Sequence, residues 1–410
     1  MRAPLPWFCS AGVLVATACA PEPTSTREPL PFAAAGADDV PDAALEGPYP
    51  VGVTTITLVD ALRVKDGAPR SLPIEVWYPA KESARDAVKE TIELFDALPL
   101  DLQEGLSPED LGSLPTIAVR DADARADTDT GSDGVVVKDV YPLVIFSHGK
   151  GGLRLQSTYY TTFLASHGYV VAAPDHTGDT IVELLREVKD TGSIQADSTV
   201  EAIVDRPKDV IAMLDLLEEL LPDDVAAVTD LSRVGVTGHS FGALTSFLVA
   251  TMDSRVDVIV GQTPTSQDVI ALQQQTPLQE VSIPMIIQSA TLDETLPEDT
   301  NARPLYETLT STKAWLSLTR AGHFTYSDLC VLDVEAISVA VNLDVSNVLE
   351  DGCGPDALPA NLAQPAIRAS AVGTFNLHLR GSTGSARFLT QASLDEIAPG
   401  EGVLVSEEER

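Results

Sequence analysis

Gly238, His239, Ser240, Phe241 and Gly242 spell a G-x-S-x-G pentapeptide. Residues 233–237 before it are largely β-branched and strand-like, and residues 243–250 after it are small and apolar, as in a buried helix. A chain that passes from strand to helix over so few residues must turn sharply, and the two glycines permit the close backbone approach that such a turn demands. The turn lifts the Ser240 hydroxyl clear of the sheet and sets it at a helix N-terminus. A serine hydroxyl attacks an acyl carbon only when a base takes its proton and a third group orients that base.

The chain has six histidines, and only His323 and His378 follow the serine. In a strand–turn–helix serine frame the chain order is nucleophile, acid, base. His323 lies in Arg320-Ala321-Gly322-His323-Phe324, a loop straight after a strand-like run, whereas His378 stands at helical spacing and reads as a helix-face residue. His323 is therefore the expected base. The acid should lie between them and just past a strand. Asp293 fits, with Glu294, Asp268, Glu298 and Asp299 as rivals in an acid-rich region. The tetrahedral intermediate needs preformed N–H donors. Phe241, next after the serine, supplies one, and Lys150 in the glycine-rich run 148–152 is the choice for the second. His176 reads mainly as a structural loop residue that could also line the pocket, and Arg206 and Asp209, three apart on a helix, as a structural ion pair. The acidic run 293–299 lacks recognisable metal-ligand spacing, so no metal site and no cofactor is expected.

Positioning these groups requires a sheet. Strand-like runs occur at 51–59, 72–78, 141–146, 169–173, 233–237, 256–260, 284–288 and 314–319. Several are continuous apolar stretches, as in strands buried on both faces. Helical patterns intervene near 157–167, 206–221 and 243–250, and 367–379 reads as a closing helix. Such alternation predicts an α/β fold with about eight mostly parallel strands and helices on both faces. The expected organisation is a signal peptide at 1–18, a flexible tether at 19–47, one catalytic domain at 48–395 and an acidic tail at 396–410. Residues 81–139 interrupt the domain, helix-like over 84–98 and loop-like over 121–133.

With 26 basic against 61 acidic residues the net charge is −35, which argues against a nucleic-acid partner and against anionic membrane surfaces. Solubility, or adaptation to salt, accounts for the acidity. Arg2, the apolar stretch 5–18 and the Ala16-Thr17-Ala18 triplet read as an export signal, too short for a bilayer span of about 20 residues. Cys330 and Cys353 are expected to pair in an oxidising compartment, contributing about 3 kcal/mol by loop entropy. Cys19, directly after the small residues, is a lipidation candidate, which would tether the chain to a membrane; plain secretion is the alternative. Nothing in the sequence indicates oligomeric state.

The residues 147–149 (Ser-His-Gly) after a strand, the Pro174–Gly178 run, the Arg206-x-x-Asp209 pair and the 238–242 pentapeptide together resemble the platelet-activating-factor acetylhydrolase family, with dienelactone-hydrolase-like enzymes as neighbours. The resemblance spans roughly residues 48–385. It implies an α/β-hydrolase fold, a metal-free Ser-Asp-His triad and hydrolysis of carboxylic esters, including short or oxidised acyl chains of phospholipids. One departure stands out: the animal lipid enzymes of that family carry the acid just after the strand that follows the nucleophile helix, where this chain has Val260-Gly261-Gln262-Thr263-Pro264. Asp293, one strand later, matches the dienelactone-hydrolase-like and polyester-cleaving relatives. The alternatives are a thioesterase or other acyl-transfer enzyme on the same triad, and a non-catalytic surface-binding homologue.

Overall fold

The computed structural model describes residues 40–65, 67–126, 128–130, 136–138, 140–191, 198–341 and 346–407. The expected signal peptide, Cys19 and most of the tether lie outside the described residues.

Ten strands form the main sheet: β1 (Val51–Lys65), β2 (Ala68–Pro79), β3 (Ala118–Arg120), β4 (Tyr141–Ser147), β5 (Val170–Pro174), β6 (Thr229–His239), β7 (Val256–Gln262), β8 (Met285–Ala290), β9 (Lys313–Leu318) and β10 (Gly402–Glu407). Their spatial order is β10-β9-β8-β7-β6-β4-β5-β2-β1-β3. The run from β9 through β5 is parallel throughout, while β1, β2 and β10 add antiparallel pairs. Parallel strands need crossovers, and these are the helices, so both faces of the central sheet are covered.

Side-chain alternation divides the core in two. On β4, Val144 and Phe146 face one layer, with α1 (Thr158–Ser166) and the long α6 (Ala360–Arg380). Leu143 and Ile145 face the other, with α3 (Ser198–Leu220) and α4 (Phe241–Met252). A strand buried on both sides therefore reads as an unbroken apolar run, while its two-residue period still assigns each side chain to a layer. Between α1 and α3 lies α2 (Ile181–Thr191), and α5 (Ala302–Thr308) joins β8 to β9.

The fold differs from the sequence expectation in four places. Two further strands join the expected eight. β3 is three residues long, too short for a periodic signal, and brings part of the expected interruption into the sheet beside β1. β10 lies within the stretch read as an acidic tail; Leu404 is buried while Val403 and Val405 are exposed, an edge-strand alternation masked by flanking glutamates. The stretch 84–98 is not one helix. Glu82–Ala84 and Leu94–Ala97 are short 3-10 turns, and Thr91–Glu93 pairs with Ser113–Pro115, so a β-branched pair takes a tertiary strand partner in preference to a helix. The end of the expected tether is packed rather than free: Val40 and Ala43 are buried, and Gly47 N–H donates to Ser166 Oγ at 2.9 Å.

The β10 alternation sets up a direct comparison. Leu404→Ala should lower stability by about 2 kcal/mol or more, the cost of emptying a buried leucine site. Val403→Ala, on the solvent side of the same strand, should change it by less than about 0.5 kcal/mol. Denaturant unfolding of both variants measures the contrast; equal effects would contradict the assigned register.

Candidate functional site

The six strands from β9 through β5 run the same way, so the loops after β4, β6, β8 and β9 emerge along one edge of the sheet, where open α/β sheets build their sites. Ser240 sits between β6 and α4 at φ 56° and ψ −116°, a left-handed backbone that a side-chain-bearing residue adopts only under constraint. The constraint is steric. A Cβ on Gly242 would fall 1.8 Å from Ser147 O, and one on Gly238 would fall 2.5 Å from Gly242 C. No side chain fits at either position while the turn keeps this shape.

His323 Nε2 lies 2.8 Å from Ser240 Oγ, and His323 Nδ1 lies 2.8 Å from Asp293 Oδ2. Both His323 and Asp293 are buried, while Ser240 keeps partial exposure. With the serine donating to Nε2, the imidazole is neutral and its Nδ1–H donates to the carboxylate. Asp293 Oδ1 accepts the Leu296 N–H at 2.6 Å, which fixes the carboxylate plane. Among the acids weighed as rivals, Glu298 instead accepts from Ser289 Oγ at 2.7 Å and pairs with Arg303. Where the animal lipid enzymes carry their acid, Gln262 donates to Gln288 Oε1 at 3.1 Å, and Gln288 donates to Ile367 O and Ser370 Oγ. That position is filled by a buried amide ladder.

The backbone of His323 is held at both ends. Its carbonyl accepts from His239 Nε2 at 2.9 Å. His239 Nδ1 in turn accepts from Gln156 Nε2 at 2.8 Å, and Gln156 Oε1 accepts the Gly149 N–H at 2.7 Å. The residue between Gly238 and Ser240 thus links the serine turn to the histidine loop, and Gln156 links that pair to the glycine-rich loop after β4. A Cβ on Gly149 would lie 3.6 Å from Ser240 Cβ, so this loop passes directly beside the serine. The Gly149 N–H is engaged by Gln156, and Lys150 is the next residue of this loop. Phe241 opens α4, where the first N–H groups have no partner within the helix.

Arg206 supports both of these amide-bearing residues. Completely buried, its guanidinium donates to His148 O and, at 3.0 Å, to Gly149 O. It also pairs with Asp179 at 2.7 Å and lies over the Phe241 ring at 4.7 Å. The expected pairing of Arg206 with Asp209 does not occur. Asp209 instead receives Arg70 Nε and Nη2 at 2.6 and 2.7 Å, Arg63 at 2.7 Å and His176 Nδ1 at 2.8 Å. The two charges sit on one helix, yet separate tertiary partners reach each of them. His176, completely buried, donates its N–H to His148 Nε2 and contacts Ser147 Oγ through its own Nε2, so it is a strut beneath the loop rather than a pocket wall. His378 is part of α6. Cys330 and Cys353 form a disulfide. Among the described residues no cluster of His, Cys, Asp and Glu is arranged to hold a metal, and no helix is long and apolar enough to cross a membrane. A cavity of about 580 Å³ near Leu114, Tyr159, Phe163 and Asp328 includes none of Ser240, His323 or Asp293 in its walls.

Sequence reasoning missed Gln156, and it missed Asp351, whose carboxylate accepts the His323 N–H at 2.7 Å. Neither has a local signature: Asp351 is one carboxylate among 61 acidic residues, and its partners are remote in the chain.

Comparison with known proteins agrees with this architecture. The family described as platelet-activating factor acetylhydrolase, isoform II, matches residues 36–191, and the PET hydrolase-like family matches residues 155–340. Cutinase est1 of Thermobifida alba is 24% identical over 188 residues, covering 45% of this chain and 54% of that protein. Cutinase 1 of Thermobifida cellulosilytica is 27% identical over 188 residues, covering 45% and 62%. The platelet-activating factor acetylhydrolase of Canis lupus familiaris is 28% identical over 147 residues, covering 28% of this chain and 33% of that protein. The chain thus spans only part of the length of these relatives. The solved structure of a ferulic acid esterase from Streptomyces cinnamoneus superposes with a TM-score of 0.60 at 24% identity, covering 88% of this chain and 97% of that one, and shows the shared α/β-hydrolase fold.

Two outcomes follow from the buried polar layer. Arg206→Met should cost about 3–5 kcal/mol, because it strands the buried Asp179 carboxylate and two loop carbonyls without their cation; an unchanged denaturation midpoint would contradict this. Burial holds His167 and His176 down to about 4 from an ordinary 6.5. Both are therefore neutral in the folded chain but become charged in the unfolded chain as pH falls below 6.5. Their contribution is complete above that value and is lost as pH falls towards 4. Melting temperatures measured across this window should decline steadily with acidity, and a flat profile would refute the assignment.

Proposed function

We propose that the chain, an α/β-hydrolase whose two halves resemble the platelet-activating factor acetylhydrolase and PET hydrolase-like families, hydrolyses carboxylic esters through an acyl-enzyme on Ser240. The observation that carries the reading is the hydrogen-bonded series Ser240 Oγ to His323 Nε2 and His323 Nδ1 to Asp293 Oδ2, each step 2.8 Å.

Ser240 Oγ attacks the acyl carbon while His323 Nε2 takes its proton. The carbonyl π pair moves onto oxygen, and the resulting oxyanion accepts hydrogen bonds from the Phe241 and Lys150 amides. These donors gain most when charge develops, so they favour the transition state over the bound ester. Collapse breaks the bond to the alkoxy oxygen, which leaves as the alcohol with the proton from His323. Water then gives a proton to His323, attacks the acyl carbon and releases the acid, and Ser240 recovers its hydrogen. Asp293 keeps the imidazole in the tautomer with Nδ1 protonated and stabilises the imidazolium formed at each step. The steps call on no cofactor.

Short or oxidised acyl chains on glycerophospholipids, as the family name implies, are one substrate class. The position of Asp293, after β8 rather than β7, aligns the site with polyester- and small-ester-cleaving relatives as the other. Work in an oxidising compartment fits the Cys330–Cys353 disulfide, with Cys19 as the residue that would carry a lipid anchor after export.

Ser240→Ala should lower turnover of a short-chain aryl ester by at least about a thousandfold and abolish labelling by a fluorophosphonate. Undiminished turnover would discard the assignment. A series of acyl lengths on glycerophospholipids, simple esters and a polyester separates the substrate classes.

A further inference from the structure

The segment between the paired cysteines holds a carboxylate that the ester mechanism does not use. Asp351, 3% exposed, accepts four hydrogen bonds on its two oxygens. Oδ1 takes the His323 N–H at 2.7 Å and the Glu294 N–H at 3.1 Å, while Oδ2 takes the Thr295 N–H at 2.9 Å and the Thr295 Oγ1 hydroxyl at 2.7 Å. One side chain therefore joins the loop that carries the base to the loop that carries the acid. Nearer the strands these loops are already tied, by Leu292 N–H to Ala321 O at 2.9 Å. At residues 293–295 and 323, where the Asp293–His323 bond must be kept, the joint is Asp351.

The carboxylate is itself fixed. A Cβ on Gly322 would lie 2.5 Å from Asp351 C, so base loop and Asp351 segment touch backbone to backbone. Gly352 takes φ +122°, and a Cβ there would meet Thr325 Oγ1 at 2.8 Å. Thr325 Oγ1 accepts the Gly322 N–H at 3.0 Å and donates to Gly352 O at 3.3 Å. The next residue, Cys353, is bonded to Cys330, seven positions after His323. The disulfide thus returns the chain to the base loop with Asp351 in its bend.

We propose that Asp351 is a positioning residue that locks the acid–base geometry of the proposed hydrolase by clamping the Asp293 and His323 loops to each other, with the Cys330–Cys353 disulfide holding the clamp in place. It touches no substrate. A buried carboxylate meeting four donors suits this role, because charge-assisted bonds are stronger and shorter than neutral ones. A shift of about 1 Å at reacting groups costs about a hundredfold in rate. The inference rests on the ester-hydrolase reading for its kinetics, but the geometry can be read without a substrate.

Asp351→Asn is the test. An amide offers one acceptor oxygen and turns two hydrogens toward donors that need an acceptor. The expected result is kcat on a short-chain aryl ester lowered about 10- to 100-fold, KM within about threefold, and fluorophosphonate labelling slowed in parallel. The low-field proton resonance of His323 Nδ1–H, assigned by its loss in Asp293→Ala, should broaden or move upfield. Kinetics and resonance both unchanged would overturn the proposal, as would an activity loss that merely tracks the unfolded fraction in a thermal melt. Wild-type protein that cleaves no ester sinks the function proposed above, while the resonance still decides the clamp. Should Asp351→Asn fail to fold, Thr295→Val removes one of the four donors and should lower kcat about two- to fivefold; unaltered kcat and resonance in that variant would overturn the proposal.

Discussion

Everything at the candidate site is built around one backbone constraint: Ser240 must sit at φ 56°. A residue with a Cβ does not rest there unless its surroundings overdetermine it. Here β6 fixes the approach, α4 fixes the exit, and Gly238 and Gly242 leave out side chains that would collide with backbone. The strained turn is also tethered sideways, since Ser240 N–H donates to Gln262 O at 2.9 Å across the neighbouring strand. The turn thus fixes the Ser240 backbone, and His323 Nε2 meets its hydroxyl at 2.8 Å.

Meeting it requires charge to be buried, and burial without partners is costly. The layer beneath the loop after β4 meets this by pairing its charged side chains with one another and with loop carbonyls. Arg206 is neutralised by Asp179 and bonded through its two terminal nitrogens to loop carbonyls, and Asp209 is met by two arginines and an imidazole. Burial pushes the Asp209 carboxyl up, but the hydrogen bonds from Arg70 and His176 outweigh it and hold the carboxyl well below its ordinary range. In the same layer burial keeps His148 and His176 neutral, so each offers one donor and one acceptor in a fixed tautomer. The His148 and Gly149 carbonyls of the loop face this layer.

His323 shows the same economy of motion. Its carbonyl is bonded by His239, its N–H by Asp351 and its ring by Ser240 and Asp293. An imidazole that shuttles a proton between two oxygens benefits from being held at the backbone, because its own hydrogen bonds change at each step. The restraint comes from three directions: the serine turn, the acid loop and the disulfide-closed segment.

Local sequence determined a good deal by itself. Continuous apolar runs mark β4 and β5, because strands covered on both faces disfavour polar residues. The glycines around Ser240 mark a turn with no room for a Cβ, and chain order after that serine leaves few candidates for its partners. Tertiary structure alone decided the rest. Leu404 joined the sheet because β9 offered an unpaired edge, and residues 91–93 became a strand because residues 113–115 lay beside them. Arg206 and Asp209 were drawn apart by charges brought in from other elements, and Asp351 acquired its place only when two distant loops closed around it. Backbone strain and burial on both faces leave local residue patterns, whereas a hydrogen bond between residues far apart in the chain leaves none, since any acid of the right length serves once the fold has delivered its donors.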